Sequence, residues 1–252
     1  MAFPDYFSKQ AADYARHRPR YPAALFDHLA ALAPCRDLAW DCATGNGQAA
    51  VALAERFERV VASDASADQL RHAEPHPRVA YHVARAEDVP SAVLAAESVD
   101  LVTVAQAMHW LDPEPFYAQA RRVLKPGGVV AVWGYYGSTI SPPIDGIIHR
   151  FSEEIVADFW PPRVGLLRGG FLDLPFPFDE IESPAFEITA DWRIFTMLGY
   201  LRSWSPTQRY IDARGENPVD RIRSDLMRAW GAGTVRPVRW PLGVRIGRWN
   251  GP

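Results

Sequence analysis

Apolar and polar positions alternate at two spacings through the first half of the chain. Leu25, Phe26, Leu29 and Leu32 fall at helical spacing between Tyr21 and Ala33, with Pro22 in a first turn that tolerates it and Pro34 ending the run. A short apolar run, Leu38 to Asp41, then meets a small-residue turn, and an alanine-rich helical pattern follows from Gln48 to Phe57. The alternation repeats. Val60 to Ala62, Val79 to Val83, Val99 to Ala105 and Val129 to Tyr135 read as strands, and Ser66 to Ala73, Ser91 to Ala96 and Pro113 to Leu124 read as helices between them. The third of these helices ends at Lys125-Pro126-Gly127-Gly128. Strands that alternate with helices in this way predict a parallel, doubly wound sheet covered on both faces.

After Gly137 the pattern breaks. Prolines at 142, 143, 161, 162, 175, 177 and 184 divide the chain into short pieces around a helical stretch from Ile144 to Phe159. Phe186 to Trp192 predicts a strand, Val219 to Trp230 a helix, and Val238 to Arg248 a last strand in which Pro241 demotes part to an edge. Residues 138–235 are therefore expected to form a cap over the sheet.

Composition narrows the function. The chain has 252 residues, is 48% hydrophobic and carries a formal net charge of −3, so it can bury a core but offers no broad attraction to a phosphate backbone. No local basic stripe offsets this, and a nucleic-acid partner is not expected; a small molecule is the default. No stretch approaches the roughly 18 apolar residues of a membrane span. Cys35 and Cys42 form neither a CxxC nor a Cys/His cluster, so no metal is expected and a reducing, cytoplasmic setting fits. Nothing in the pattern specifies an oligomeric state.

In an open parallel sheet, ligands bind beyond the carboxyl ends of the strands. Asp41, Asp64, the Glu87-Asp88 pair, Gln106 with His109, and Trp133 to Tyr136 follow or close the five strands in turn, so one crevice could collect them. Between the first strand and its helix, Ala43-Thr44-Gly45-Asn46-Gly47 supplies the glycines of a tight turn and lets a ligand approach the backbone. Such a turn is often purely structural. Asp64, 23 residues after Asp41, stands where an acidic side chain would accept from a ribose diol, and together they suggest a nucleoside-containing cofactor.

These segments resemble the class I S-adenosylmethionine-dependent methyltransferases, in particular the small-molecule type 11 group that includes relatives of trans-aconitate methyltransferase. Asp41 and Ala43 to Gly47 are similar to the family's acidic residue and GxGxG, with Ala43 in place of the first glycine. Ala62-Ser63-Asp64-Ala65-Ser66 is similar to GxDxS, and Ala84-Arg85-Ala86-Glu87-Asp88-Val89-Pro90 to GDAEDLP, with Arg85 where aspartate is usual. Ala105 to Asp112 and Arg122 to Gly128 resemble the segment after the fourth strand and the turn before the fifth. Tyr14 with Arg18-Pro19-Arg20-Tyr21-Pro22, and Tyr200 to Ser205, resemble an N-terminal lid and a late cap motif.

The resemblance implies an α/β fold: a Rossmann-like, doubly wound, mainly parallel seven-stranded sheet with helices on both faces and a helical cap. It implies a single domain over 1–252, with a lid at 1–35, a cofactor core at 36–137, a substrate cap at 138–235 and a returning strand at 236–252. S-adenosyl-L-methionine is the implied cofactor, held by Asp41, Ala43, Thr44, Gly45, Gly47, Asp64, Ala65, Gln69, Ala86, Glu87 and Gln106. The implied partner is a small-molecule methyl acceptor, with Tyr14, Arg18, Trp110, Tyr135, Tyr136, Arg202 and Trp204 as substrate-binding candidates. A carboxylate acceptor would need no general base and would call for an arginine fork from Arg163, Arg168 or Arg202. A hydroxyl, phenol or amine could give its proton to His109, the catalytic candidate, which could equally serve in positioning.

Two other readings share these features. An NAD(P)-dependent oxidoreductase normally shows GxGxxG, and here Gln48 follows Gly47 while Ala50 takes the third-glycine position in a frame beginning at Gly45. A catalytically silent cofactor-binding module would accommodate the departures at Ala43 and Arg85.

Overall fold

A computed structural model describes residues 19–251 of the chain. Helix α1 (Ala23–Leu32) precedes β1 (Leu38–Cys42), α2 (Gln48–Ala54), β2 (Arg59–Asp64), α3 (Ala67–Arg71), β3 (Val79–Val83) and β4 (Val99–Ala105). Then come α4 (Pro113–Val123) and β5 (Leu124–Gly134). The five strands lie parallel in the order β3-β2-β1-β4-β5. The order reverses between β1 and β4, so the carboxyl ends of those two strands flank the crevice where an open α/β sheet takes its ligand.

The sheet is covered on both faces, as the pattern predicts. In β1, Leu38, Trp40 and Cys42 point into one core with Phe116 and Tyr117 of α4, while Ala39 points into a second core with Leu25 and Phe26 of α1 and Leu53 of α2. In β5, Val130 and Val132 join the first core and Val129, Ala131 and Trp133 the second. This strict alternation fixes the strand register, because a slip of one residue would exchange the two faces.

Four expectations change. The Ser91–Ala96 segment is a run of turns, not a helix, with Val93 and Leu94 N–H groups returning to the Pro90 carbonyl. The Lys125 to Gly128 turn is absorbed into β5 as its irregular start, with the register shifting between Val99 and Leu101. The stretch from Ile144 to Phe159 divides into α5 (Pro142–Arg150), a π-helical turn (Phe151–Ile155) and a 3-10 turn (Ala157–Phe159). The sheet has eight strands rather than seven.

The remaining strands run antiparallel around β8 (Arg236–Trp249), whose second half pairs with β5 and β6 (Asp179–Ile181) and whose first half pairs with β7 (Phe186–Trp192). Arg239 exchanges backbone bonds with Thr139 on the edge away from β7. Pro237 and Pro241, two residues either side, turn their missing N–H groups to that same edge, so the strand continues through them. Helices α6 (Val164–Arg168), α7 (Ile194–Arg202), α8 (Ser205–Arg214) and α9 (Asp220–Trp230) complete the fold. A third core, with Ile144, Phe151, Trp204, Leu226, Trp230 and Trp240, lies among the elements that follow β5.

At the opposite end of the sheet from the crevice, Asp100 accepts the N–H groups of Asp37 and Leu38, both at 3.0 Å, and Lys125 Nζ lies 2.7 Å from it and 2.9 Å from Asp37. That buried carboxylate ties the start of β4 to the start of β1. No helix among the described residues is long and apolar enough to cross a membrane.

Candidate active site

The chain leaves β1 through a turn with three left-handed positions. Ala43, Gly45 and Gly47 all have positive φ, at 54°, 58° and 82°. Gly47 is doubly constrained, since a Cβ there would lie 2.2 Å from the Tyr81 hydroxyl. That hydroxyl is anchored on the Glu74 carbonyl at 2.6 Å, and burial pushes its pKa up to about 12. Ala43 carries a side chain in the same left-handed region, which costs about 1 kcal/mol.

Two carboxylates hold the turn. Asp41, fully buried below it, accepts from the hydroxyls of Thr44 and, at 2.8 Å, Thr103. Burial raises its pKa to about 6 against the lowering effect of these bonds. Asp64 accepts the Gly45 N–H at 2.9 Å and the Ser66 N–H at 2.8 Å, which aims its carboxylate at the turn. Ser66 in turn caps α3 through the Gln69 N–H.

These residues form one wall of an open cleft. Of the expected cofactor residues, Ala43, Thr44, Gly45, Asp64, Ala65, Gln69, Ala86, Glu87 and Gln106 line it. Asp41 and Gly47 do not; the first supports the turn from below and the second shapes it against Tyr81. Glu87 accepts from the Asp112 N–H at 3.2 Å and lies beside Arg85, so the two segments after β3 and β4 are held together at the rim.

Gln106 follows β4 with φ 56°. Its amide is committed to the next strand, donating to the Tyr135 carbonyl at 2.9 Å and accepting the Tyr135 N–H at 2.8 Å. It therefore fixes the floor where the cleft meets a second one, of about 560 Å3, and Gln106, Trp110 and Tyr135 line both.

The second cleft is aromatic. His109, Tyr136 and Trp204, all predicted, line it, together with Trp160 and Tyr200. Tyr136 is locked by hydrogen bonds to Ser152 at 2.9 Å and Glu153 at 2.7 Å in the π-helical turn, with Arg168 4.7 Å above its ring. Burial raises its hydroxyl pKa to about 12. His109 is 6% exposed and its Nδ1 has no hydrogen-bond partner among the described residues. Burial, then the nearby Arg163, lowers its pKa to about 4, so the ring is neutral at physiological pH.

None of the arginine candidates lines either cleft. Arg163 donates to the Leu111 carbonyl, Arg168 pairs with Glu153 at 2.9 Å, and Arg202 is exposed at the end of α7 and lines neither cleft. Tyr14 and Arg18 lie outside the described residues. The site also contains residues that were not expected there. Tyr21 lines the first cleft, its ring edge-on to Trp133 at 5.6 Å, and Trp160 lines the second, its Nε1 bonded to the Ser152 carbonyl at 3.1 Å. Tyr21 lies in a motif singled out for its resemblance; Trp160, between two proline-broken segments, carries no such signal.

The residues present suit an adenosine-containing cofactor. The glycine turn leaves room for close approach, Asp64 offers carboxylate oxygens to a diol, and the rim after β3 supplies Ala86 and Glu87.

Comparison with known proteins agrees with this geometry. A family model described as a methyltransferase domain matches residues 40–132. The chain is 31% identical over 234 residues to a Dictyostelium discoideum protein described as a methyltransferase, covering 90% of this chain and 87% of the relative. It is 32% identical over 238 residues to the methyltransferase cfoB of Aspergillus candidus, covering 87% of this chain and 73% of the relative. A solved structure described as a type II methyltransferase, from Anaeromyxobacter dehalogenans, shares 43% identity and superposes with a TM-score of 0.84 over 92% of this chain and 97% of that one. The chain belongs to the class I S-adenosylmethionine-dependent methyltransferases.

Proposed function

We propose that the enzyme methylates an oxygen or nitrogen nucleophile of a small molecule held in the aromatic cleft. The observation that carries this reading is the meeting of the two clefts at Gln106, Trp110 and Tyr135, one lined by the glycine turn and Asp64 and the other by rings. When bound, S-adenosylmethionine supplies a methyl carbon on a positively charged sulfur that departs as a neutral thioether.

The protein's task is then positioning and the exclusion of water. Asp64, Ala65, Gln69, Ala86 and Glu87 hold the cofactor, and Gln106 keeps the ends of β4 and β5 at one spacing. His109, being neutral, accepts a hydrogen bond from the acceptor and orients its lone pair. A ring with a pKa of about 4 does not retain a proton at neutral pH, so the displaced proton passes on to water. Residues 138–235 act as the cap that shapes the acceptor cleft.

Incubating the purified protein with S-adenosylmethionine and a panel of phenols, amines and carboxylic acids tests this. Release of S-adenosylhomocysteine with a methylated product is expected for a hydroxyl or amine. Cofactor binding without turnover on any class would favour a silent module.

A further inference from the structure

We infer that the acceptor is an uncharged, planar aromatic molecule that presents a hydroxyl to His109, and that anionic acceptors are rejected. The inference rests on the methyltransfer reading above and specifies the substrate of the same site.

Its first support is what the second cleft offers. Trp110, Tyr135, Tyr136, Trp160, Tyr200 and Trp204 surround it, and among the described residues no lysine, arginine, aspartate or glutamate lines it. Trp160 and Trp204 stand 5.6 Å apart at 45°, and Tyr136 lies 5.4 Å from Trp160, so the three rings pack into one continuous aromatic wall. The indole N–H of Trp160 is already spent on the Ser152 carbonyl and that of Trp240 on the Tyr200 hydroxyl, at 3.1 and 3.2 Å. The Trp160 side chain thus presents carbon surface, which rewards stacking rather than hydrogen bonding.

The second support is where the cations are. A carboxylate entering this cleft would lose its hydration and find no guanidinium among the described lining residues to replace it: Arg163, near His109, donates to the Leu111 carbonyl, and Arg168 is paired with Glu153. Glu153, which also accepts from Tyr136 and Ser152, already matches the charge of the Arg168 guanidinium that lies over the Tyr136 ring.

The third support is His109. It is nine-tenths buried and lines the cleft, and its enclosed Nδ1 has no hydrogen-bond partner among the described residues. A neutral imidazole satisfies a hydroxyl as well as being satisfied by it, whereas it offers an anion at most one neutral N–H.

Calorimetric titration into the protein saturated with S-adenosylhomocysteine tests the inference with three probes: 2-naphthol, 2-naphthoate of the same ring system, and the aliphatic tricarboxylate trans-aconitate. Saturable 2-naphthol binding is expected, with 2-naphthoate weaker by about tenfold and trans-aconitate without saturable heat. Trp160→Ala should weaken 2-naphthol by about tenfold while leaving the homocysteine cofactor's affinity unchanged, and Trp160→Phe should restore most of the loss. Binding of either carboxylate as tightly as 2-naphthol, absence of 2-naphthol binding, or indifference of 2-naphthol to Trp160→Ala would overturn the inference. Failure of S-adenosylhomocysteine itself to bind would instead remove the methyltransfer reading on which it stands.

Discussion

The side-chain amide of Gln106 closes a two-point hydrogen-bonded ring with the backbone of Tyr135, donating at 2.9 Å and accepting at 2.8 Å. It acts as one more rung of pairing between β4 and β5 just beyond their carboxyl ends, at the junction of the two clefts. Gln106→Ala removes two part-buried hydrogen bonds to the Tyr135 backbone, and a loss of about 1–3 kcal/mol in stability is expected by urea unfolding. Because Gln106 lines both clefts, affinity for cofactor and acceptor should fall together; a loss confined to one of them would assign Gln106 to that ligand alone.

Asp41 and His109 set opposing pH dependences. The folded pKa of Asp41, about 6, lies above its ordinary 3.8, so the native state binds the extra proton and stability falls as pH rises between those values. The folded pKa of His109, about 4, lies below its ordinary 6.5, so the unfolded state binds the extra proton and stability rises with pH across that window. Between about pH 4 and 6 the two contributions nearly cancel, each being about 1.4 kcal/mol per pH unit. Asp41→Asn should therefore give a stability that climbs more steeply from pH 4 to 6 than wild type, and His109→Asn one that declines relative to it. Parallel profiles for the three proteins would refute both assignments.

Replacing the side chain at the first turn position should help the fold. Ala43 sits at φ 54°, where glycine meets no Cβ penalty. Ala43→Gly is expected to raise stability by about 1 kcal/mol, seen as a higher urea midpoint at unchanged slope. A lower midpoint would mean that the turn is not strained there.

The opposite substitution at Gly47 meets both a φ of 82° and the Tyr81 hydroxyl. Gly47→Ala should abolish measurable binding of S-adenosylhomocysteine by displacing the turn. Adding Tyr81→Ala removes the clash and leaves only the backbone cost of about 1 kcal/mol, so the double variant should recover part of the affinity. Equal loss in both variants would show that Tyr81 is not what excludes a side chain.

Much of this architecture was legible in the amino-acid pattern, for identifiable reasons. Val79–Val83, Val99–Ala105 and Phe186–Trp192 form strands at the predicted bounds because short apolar or alternating runs ended by polar residues have few other uses. The strand ends then place Asp64, Glu87 and Gln106 on one cleft by topology alone. What stayed hidden depends on side-chain commitments at long range. Nothing local in Gln106 tells that its amide pairs with Tyr135, nor in Thr103 that its hydroxyl supports Asp41, although a threonine inside an apolar strand is a signal that could have been followed. Arg202 shows the converse: it lies in a segment with a family resemblance, yet the α7 terminus leaves it exposed. Beyond Gly137, short helices such as α7 and α8, and the π-helical turn that seats Tyr136 and Trp160, arise from tertiary packing rather than from periodicity.

The cleft at the carboxyl ends of the strands is tested most directly by titrating the purified protein with S-adenosylhomocysteine and, separately, with NAD in a calorimeter. Saturable binding of S-adenosylhomocysteine at one site per chain, lost in Gly47→Ala, and no saturable heat with NAD are the predicted results. Saturable NAD binding without S-adenosylhomocysteine binding would contradict the account.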